Sequence, residues 1–253
     1  MYYYIFEPPK NSQERMYFEK IRDFARDFGI AGEITQASPA RTPQELTQIA
    51  LEKNYSTIVA IGHDIHINRV VSAILNLNPD IPVSLGIIST DPDSMLYGRW
   101  GFKHPEEACE MLKYRKLERF SVGMVEPNHY FLTSIKIEPP KTTRITLEVD
   151  HWKADALIDR AEISGNLYIL LERFKKTGGV VSSTINWLLG KNDEDVDRSI
   201  FKAKIIRILS KEPLPITIDD QIIARTPANI YRKLNALNII TKRDKIMREI
   251  NKD

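Results

Sequence analysis

Two short polar segments of this 253-residue chain carry residue types that bind phosphate groups or metal ions. Residues 62–68, Gly-His-Asp-Ile-His-Ile-Asn, follow one continuous apolar run, and residues 89–94, Ser-Thr-Asp-Pro-Asp-Ser, follow another. Such runs are typical of strands covered on both faces. In an open parallel sheet, ligands bind beyond the carboxyl ends of the strands, and phosphates bind at helix N-termini. The two segments therefore predict a ligand site in the first half of the chain.

The first half alternates short apolar strands with amphipathic helices. The spacing predicts strands at residues 2–6, 32–37, 56–61 and 82–88, with helices between and after them. Asn11 or Ser12 is expected to cap the first helix, and Thr42-Pro43-Gln44-Glu45 is a strong start signal for the second. Parallel strands need crossover connections, which these helices supply. The alternation therefore predicts a doubly wound parallel α/β domain.

After about residue 118 the pattern changes to strands separated by turn signals. The segments with strand character are residues 120–125, 130–137, 144–149, 161–171, 205–209 and 216–218. Residues 190–197 are expected to form a polar loop. The second half is therefore predicted to be an antiparallel β-sandwich. The predicted organisation is an α/β domain at 1–118, a β-sandwich domain at 119–245 and a basic tail at 246–253.

Composition and charge exclude several classes of protein. The balance of 36 Lys and Arg against 34 Asp and Glu does not favour a nucleic-acid partner. The lone Cys109 excludes an internal disulfide or a cysteine-rich zinc site. No apolar run approaches the roughly 20 residues that span a bilayer, and the N-terminus does not resemble a signal peptide. These features predict a cytoplasmic protein.

Residues 58–71 resemble the strand, Gly-Gly-Asp-Gly-Thr loop and helix of the diacylglycerol kinase catalytic domain family, which includes sphingosine kinases and bacterial lipid kinases and is distantly related to NAD kinases. Residues 85–88 and 102–108 are similar to the family's second block, and residues 212–228 to its sandwich segment ending in Asp-Gly-Glu. The resemblance covers most of the chain and implies a two-domain lipid-kinase fold. It also implies ATP-dependent, Mg²⁺-requiring phosphorylation of a lipid hydroxyl. The nucleotide-binding residues that it implies are Gly62, His63, Asp64, Asn68 and Asp219.

Both phosphate-binding loops of that family are altered in this sequence. His63, Ile65 and His66 replace two glycines and the threonine of the first loop, and a β-branched residue such as Ile65 resists positive φ. In the second loop, Asp91 and Asp93 occupy positions where phosphate is expected. Each close approach of two anions costs on the order of 4 kcal/mol at about 4 Å and an effective dielectric of about 20. This substitution pattern opposes binding of a triphosphate.

The acid that serves the family as general base is also missing. The Asp-Gly-x-Leu-Asp stretch that carries it has no counterpart between Asn166 and Phe174, and only Asp219 matches the final Asp-Gly-Glu. No catalytic residue is therefore assigned. Two hypotheses follow. One is a lipid kinase, and the other is a catalytically inactive protein (a pseudoenzyme) on the same scaffold that binds a lipid, a nucleotide or a protein partner.

Other side chains have both a functional and a purely structural interpretation. His63, Asp64 and His66 are suitable metal ligands, but without a clear fourth ligand a loop or helix-cap role is favoured, so no metal site is predicted. The tryptophans and the basic clusters suit peripheral contact with an anionic membrane, although buried packing and solvated helix faces are more frequent roles. These residues are Trp100, Trp152, Trp187, Lys113, Arg115, Lys116, Arg119, Lys242, Arg243, Lys245 and Arg248.

Overall fold

The structure is a computed structural model, and it describes residues 1–79, 82–174, 196–218 and 220–242. The chain divides into two compact units. The first contains Met1–Val122, Tyr130–Thr133 and the chain from Lys233 onward, and the second contains Gly123–His129 and Ser134–Arg232. The units are thus discontinuous in sequence, unlike the predicted division into 1–118 and 119–245. Asp219 and the predicted tail at 246–253 lie outside the described residues.

The described residues form five helices and sixteen strands. The helices are α1 (Ser12–Asp27), α2 (Pro43–Glu52), α3 (Asp64–Leu77), α4 (Tyr97–Trp100) and α5 (Pro105–Lys113). The strands are β1 (Tyr2–Phe6), β2 (Gly32–Gln36), β3 (Thr57–Gly62), β4 (Ser84–Ser89), β5 (Lys116–Val125), β6 (His129–Phe131), β7 (Ser134–Ile137), β8 (Thr143–Val149), β9 (Trp152–Ile158), β10 (Arg160–Ser164), β11 (Tyr168–Phe174), β12 (Val196–Lys202), β13 (Ile205–Ser210), β14 (Pro215–Ile218), β15 (Gln221–Arg225) and β16 (Ala228–Thr241).

The first unit is a parallel sheet packed with helices, as predicted. Its strands lie in the order β2-β1-β3-β4, and the last residues of β16 pair with β4 in the same direction. Every residue of β3 is buried, which explains its unbroken apolar sequence. The predicted caps are also confirmed. Asn11 Oδ1 accepts a hydrogen bond from Glu14 N, and Thr42 and Glu45 form a reciprocal capping box.

The second unit is built from antiparallel sheets, which confirms the predicted fold class. In one sheet the first residues of β16 pair with β13, β13 pairs with β8, and β8 pairs with β9; the other sheet has the order β12-β11-β10-β7-β14-β15. Two predicted strands were too long. Residues 161–171 form the β10–β11 hairpin, in which Leu167 has a φ of 58°, and residues 130–137 divide between β6 and β7.

Several strands of the second unit were missed in the sequence. Residues 196 and 197, predicted to be loop, begin β12, and the strands β9, β15 and most of β16 had no clear signal. For β9 and β12, exposure explains the error. β9 and β12 lie at the ends of their sheets and are mostly exposed or half-buried, so they carry charged residues instead of an apolar run.

Candidate functional site

The strand order of the first unit creates a crevice at one edge of its sheet. β2 lies on one side of β1 and β3 on the other, so the strand order reverses between β1 and β3. Such a topological switch point is where open α/β sheets bind ligands. The crevice measures about 330 Å³. Its lining residues are Asn11, Gln13, Glu14, Tyr17, His63, Thr90, Asp91, Pro92, Tyr97, Phe102 and Lys103.

A carboxylate of the protein itself occupies the turn between β3 and α3. Glu7, which directly follows β1, accepts a hydrogen bond at Oε2 from the backbone N–H of His63 at 2.7 Å. The same oxygen lies 2.7 Å from Nδ1 of the His63 ring. The side chains of Glu7 and His63 are each only 15% exposed. An anionic group therefore already satisfies the backbone donor at the start of α3.

Gly62 is required for this close approach. Its φ is +152°, in a region that side chains strongly disfavour. A Cβ atom at Gly62 would lie 2.5 Å from Glu7 Oε2 and 2.6 Å from Glu7 Cβ, well inside van der Waals contact. The glycine therefore accommodates the carboxylate of Glu7 as well as the turn.

A second carboxylate approaches the other side of the His63 ring. Glu14 Oε1 lies 3.5 Å from His63 Nε2, while Glu14 Oε2 accepts a hydrogen bond from Lys10 N at 2.6 Å. Burial raises the pKa of Glu7, but the backbone and side-chain hydrogen bonds from His63, together with the nearby histidine charges, outweigh it. The pKa of Glu7 is consequently below its usual value, and Glu7 is ionised at neutral pH.

Asp64, the first residue of α3, is buried with one unsatisfied oxygen. Its Oδ2 accepts a hydrogen bond from Met95 N at 3.0 Å, whereas Oδ1 has no hydrogen-bond partner among the described residues. Burial raises the pKa of Asp64; the hydrogen bonds from Ser94, Met95 and Leu96 oppose this increase without cancelling it. The ionised form of Asp64 is thus less stable in the folded protein than in water.

The substitution Asp64→Asn tests this burial cost. A carboxyl whose pKa rises on folding contributes its full stability below the ordinary pKa of 3.8, and that contribution is lost as the pH rises through the folded pKa. We therefore expect Asp64→Asn to raise the free energy of unfolding at pH 7, because the amide removes a charge that is costly to bury. Urea denaturation between pH 3 and 7 should show the gain disappearing toward acid pH. A loss of stability at pH 7 would contradict this assignment.

Asn68 and His66 make internal contacts on α3. Asn68 Nδ2 donates to Thr133 Oγ1 at 2.8 Å, and Asn68 Oδ1 accepts from Leu132 N at 2.9 Å, so both ends of the amide hold residues 132–133. His66 is buried and its Nε2 donates to the carbonyl oxygen of Ile5 at 3.0 Å. Burial lowers the pKa of His66. Neither side chain lines the crevice.

The second predicted loop meets the first, since Thr90 N donates to the carbonyl oxygen of Gly62 at 3.1 Å. Asp91 Oδ1 accepts from Asp93 N at 3.0 Å, a side-chain turn of the kind that aspartate stabilises. Asp91 also lines the crevice, and so does Thr90, whose hydroxyl is buried without a partner among the described residues. The structure therefore brings the two loops together around a partly acidic crevice.

Several of the other candidate residues named from the sequence have structural roles in the described part of the chain. The described part of the chain contains no cluster of three or more metal-ligating side chains. Trp100 is buried and donates to Ile240 O, Lys113 donates to Phe28 O, and Lys242 pairs with Glu107. Trp152 is 42% exposed. Residues 187, 243, 245 and 248 lie outside the described residues. None of the described helices has the length and apolar character needed to cross a membrane.

Glu7 and Glu14 were not among the site residues predicted from the sequence. Both precede or begin α1, far in sequence from residue 63, and only the parallel pairing of β1 with β3 places Glu7 beside His63. A weak signal existed, because a carboxylate directly after a buried strand lies at the sheet edge where ligands bind. Its partner could not be identified without the strand order.

Comparisons with known proteins show a fold likeness alone. No protein-family model matches the sequence, and no curated protein is significantly similar to it. Among solved structures, a "putative diacylglycerol kinase" from Bacillus anthracis str. Sterne aligns with a TM-score of 0.72 at 14% identity, covering 95% of this chain and 97% of that one. A diacylglycerol kinase from the same strain has a TM-score of 0.70 at 16% identity, covering 95% and 96% of the two chains. This chain has their fold over nearly its whole length.

Proposed function

We propose that this chain is a non-catalytic protein on the lipid-kinase scaffold, and that its crevice binds a small neutral or cationic ligand in place of a triphosphate. The observation that carries the proposal is the bond between Glu7 and His63. A single carboxylate oxygen accepts from both the backbone N–H and the ring of His63 at 2.7 Å. In the lipid-kinase family that the sequence resembles, the position of His63 holds a glycine whose backbone amide approaches phosphate.

The electrostatics of the crevice support exclusion of phosphate. Glu7 is ionised beside the crevice, where it contacts the lining residue His63. Glu14 and Asp91 line the crevice with two further carboxyl groups, against Lys103 as the lining residue with a permanent positive charge. Two like charges about 4 Å apart repel by on the order of 4 kcal/mol at an effective dielectric of about 20. A phosphate at the start of α3 would face that cost and would find its first backbone donor already engaged.

ATP and Mg²⁺, which the fold implies for a kinase, do not fit these residues. The orphaned Oδ1 of Asp64 is a suitable oxygen ligand, but the described residues provide no cluster of ligands around it. Backbone donors of the two loops already bind carboxylates of the protein. His63 N donates to Glu7, and Met95 N donates to Asp64. We therefore assign no phosphoryl-transfer step to this chain.

A different ligand class fits the crevice better. A volume of about 330 Å³ is at the lower end of the range of about 300–1,000 Å³ for small-molecule pockets. Tyr17, Tyr97 and Phe102 provide aromatic surface. Carboxylates beside aromatic rings favour an uncharged or cationic molecule. Native mass spectrometry of the purified chain, before and after mild denaturation, should reveal a released ligand of that class.

Addition of ATP–Mg²⁺ to the wild-type chain tests the proposal directly. A ligand at 100 times its Kd stabilises the folded state by about 2.7 kcal/mol. We expect no such rise in the unfolding midpoint from millimolar ATP–Mg²⁺ binding at the crevice, and no transfer of labelled phosphate from ATP to diacylglycerol in mixed micelles. Either labelled phosphatidic acid, or a saturable midpoint shift that persists when Arg15, which lies outside the crevice, is replaced by Gln, would overturn the proposal.

A double variant tests whether the Glu7–His63 pair excludes phosphate from the turn. The double change Glu7→Asn with His63→Gly removes the carboxylate and the ring from the turn while leaving β1, β3 and α3 intact. If Glu7 is what excludes phosphate, this variant should gain a midpoint shift with ATP that the wild type lacks. Equal behaviour of the two proteins would show that the Glu7–His63 pair does not determine phosphate binding.

An active lipid kinase is the second candidate function. The full-length fold likeness favours it, as does the retention of Gly62, Asp64 and Asn68 at the positions where the sequence resembles that family. Asp64 is buried at the start of α3, and its Oδ1 has no hydrogen-bond partner among the described residues. Phosphate transfer to a lipid hydroxyl by the wild-type chain would establish this function instead of the proposed one.

A further inference from the structure

The flank of α1 opposite the crevice forms a groove lined by two arginines. The crevice contacts Gln13, Glu14 and Tyr17, whereas the groove contacts the next residues around the helix. It measures about 450 Å³. Its lining residues are Pro8, Pro9, Arg15, Phe18, Glu19, Arg22 and Gln36.

Arg22 is held in a fixed position with an unused donor. Its guanidinium carbon lies 5.1 Å from the centroid of the Phe6 ring, a cation–π contact. Its Nε–H is buried and has no hydrogen-bond acceptor among the described residues. A buried unsatisfied donor is costly, and in native structures such a group usually has a reason such as an absent ion or ligand.

The positive charge of the groove is not neutralised by ion pairs within the described part of the chain. The ion pair nearest in sequence joins Asp23 to Arg26, at 3.8 Å, and neither residue lines the groove. Neither Arg15 nor Arg22 forms an ion pair there, and Glu19 is the one acidic residue that lines the groove. Two guanidinium groups against one carboxylate leave a net charge of about +1 at neutral pH.

We infer that this groove binds the phosphate group of a small phosphorylated molecule. Arg15 and Arg22 are seven residues apart, two turns of helix, so both side chains project along the same face. Their planar forks match phosphate oxygens bidentately, and the amide of Gln36 supplies a further donor. Pro8 and Pro9 give the groove a rigid wall that needs little ordering when a ligand binds. This inference is independent of the proposed function, because the groove and the crevice have no lining residue in common.

Titration with inorganic phosphate tests the inference, with potassium chloride at matched ionic strength as the reference salt. Isothermal calorimetry on the full chain should show saturable binding. Arg15→Gln should weaken the affinity about tenfold or more, since hydrogen bonds to charged groups are worth at least that factor. Arg22→Lys keeps the charge but loses the fork and should also weaken binding. Glu19→Gln should strengthen it.

Arg26→Gln is the matched control, because Arg26 lies on the same helix and outside the groove. It should leave phosphate affinity unchanged. Absence of saturable binding in the wild type, or equal losses in Arg15→Gln and Arg26→Gln, would overturn the inference. Phosphatidylcholine vesicles with and without phosphatidic acid then distinguish a lipid headgroup from a soluble phosphate ester: flotation that Arg15→Gln abolishes identifies the headgroup, and phosphate binding without flotation identifies the soluble ester.

Discussion

Replacing Gly62 by alanine is expected to lower the free energy of unfolding by about 3 kcal/mol. Two costs add. The backbone of Gly62 has a φ of +152°, which an alanine rarely adopts, and the new methyl group would lie 2.5 Å from Glu7 Oε2 and 2.6 Å from Glu7 Cβ. The contact with the Cβ atom of Glu7 cannot relax by rotating a distant side-chain end. Equilibrium urea denaturation monitored by circular dichroism measures the difference.

Gly98→Ala is the control for the chemical change itself. Gly98 lies in α4, and a Cβ built there meets no atom within 4 Å. Alanine is favoured over glycine in helices by up to about 1 kcal/mol, so this variant should be as stable as the wild type or slightly more stable. Similar stabilities of Gly62→Ala and Gly98→Ala would show that Glu7 does not pack closely against the β3–α3 turn.

Glu7→Gln is expected to lower stability by about 2 kcal/mol at pH 7, because it removes a charged acceptor shared by two donors of His63. The effect depends on pH in a defined direction. The pKa of Glu7 is lowered in the folded protein, so its contribution is present above the ordinary value of 4.5 and is lost as the pH falls through the folded pKa. Denaturation of wild type and variant from pH 7 to pH 3 should therefore show the two curves converging.

Glu52→Gln provides a matched comparison. Glu52 is exposed at the end of α2 and accepts one hydrogen bond from Gln48 at 2.8 Å. Its replacement should change stability by less than about 0.5 kcal/mol at any pH in this range. A difference between wild type and Glu7→Gln that stayed constant from pH 7 to pH 3 would show that Glu7 is not held ionised by His63.

The two predictions concern the same feature as the proposed function. In this chain an internal carboxylate takes the place that an anion would occupy at the start of α3, and Gly62 makes room for that carboxylate. Stability and ligand choice are therefore linked at this turn. Variants that open the turn should lose stability and gain affinity for phosphate, the usual exchange between stability and function at a binding site.

Much of the first unit was predictable from local patterns. The unbroken apolar sequence of β3 follows from burial on both faces, and the Thr42–Glu45 capping box follows from side-chain chemistry within a single turn. The second unit was less predictable, because strands such as β9 and β12 are largely exposed at sheet edges and carry few apolar residues. Local sequence cannot distinguish such strands from loops, since long-range pairing stabilises them.

By itself the sequence determined the class of the fold and the positions of the two loops at the edge of a parallel sheet. These depend on neighbours along the chain and on the steric properties of single residues. Only the tertiary structure showed that the backbone N–H of His63 donates to a carboxylate of the chain itself. Glu7 and His63 are separated by 56 positions, and their contact exists because β1 and β3 are adjacent in the sheet. The distance between two atoms in space identifies this carboxylate as the acceptor of the backbone amide, and the sequence does not give such distances.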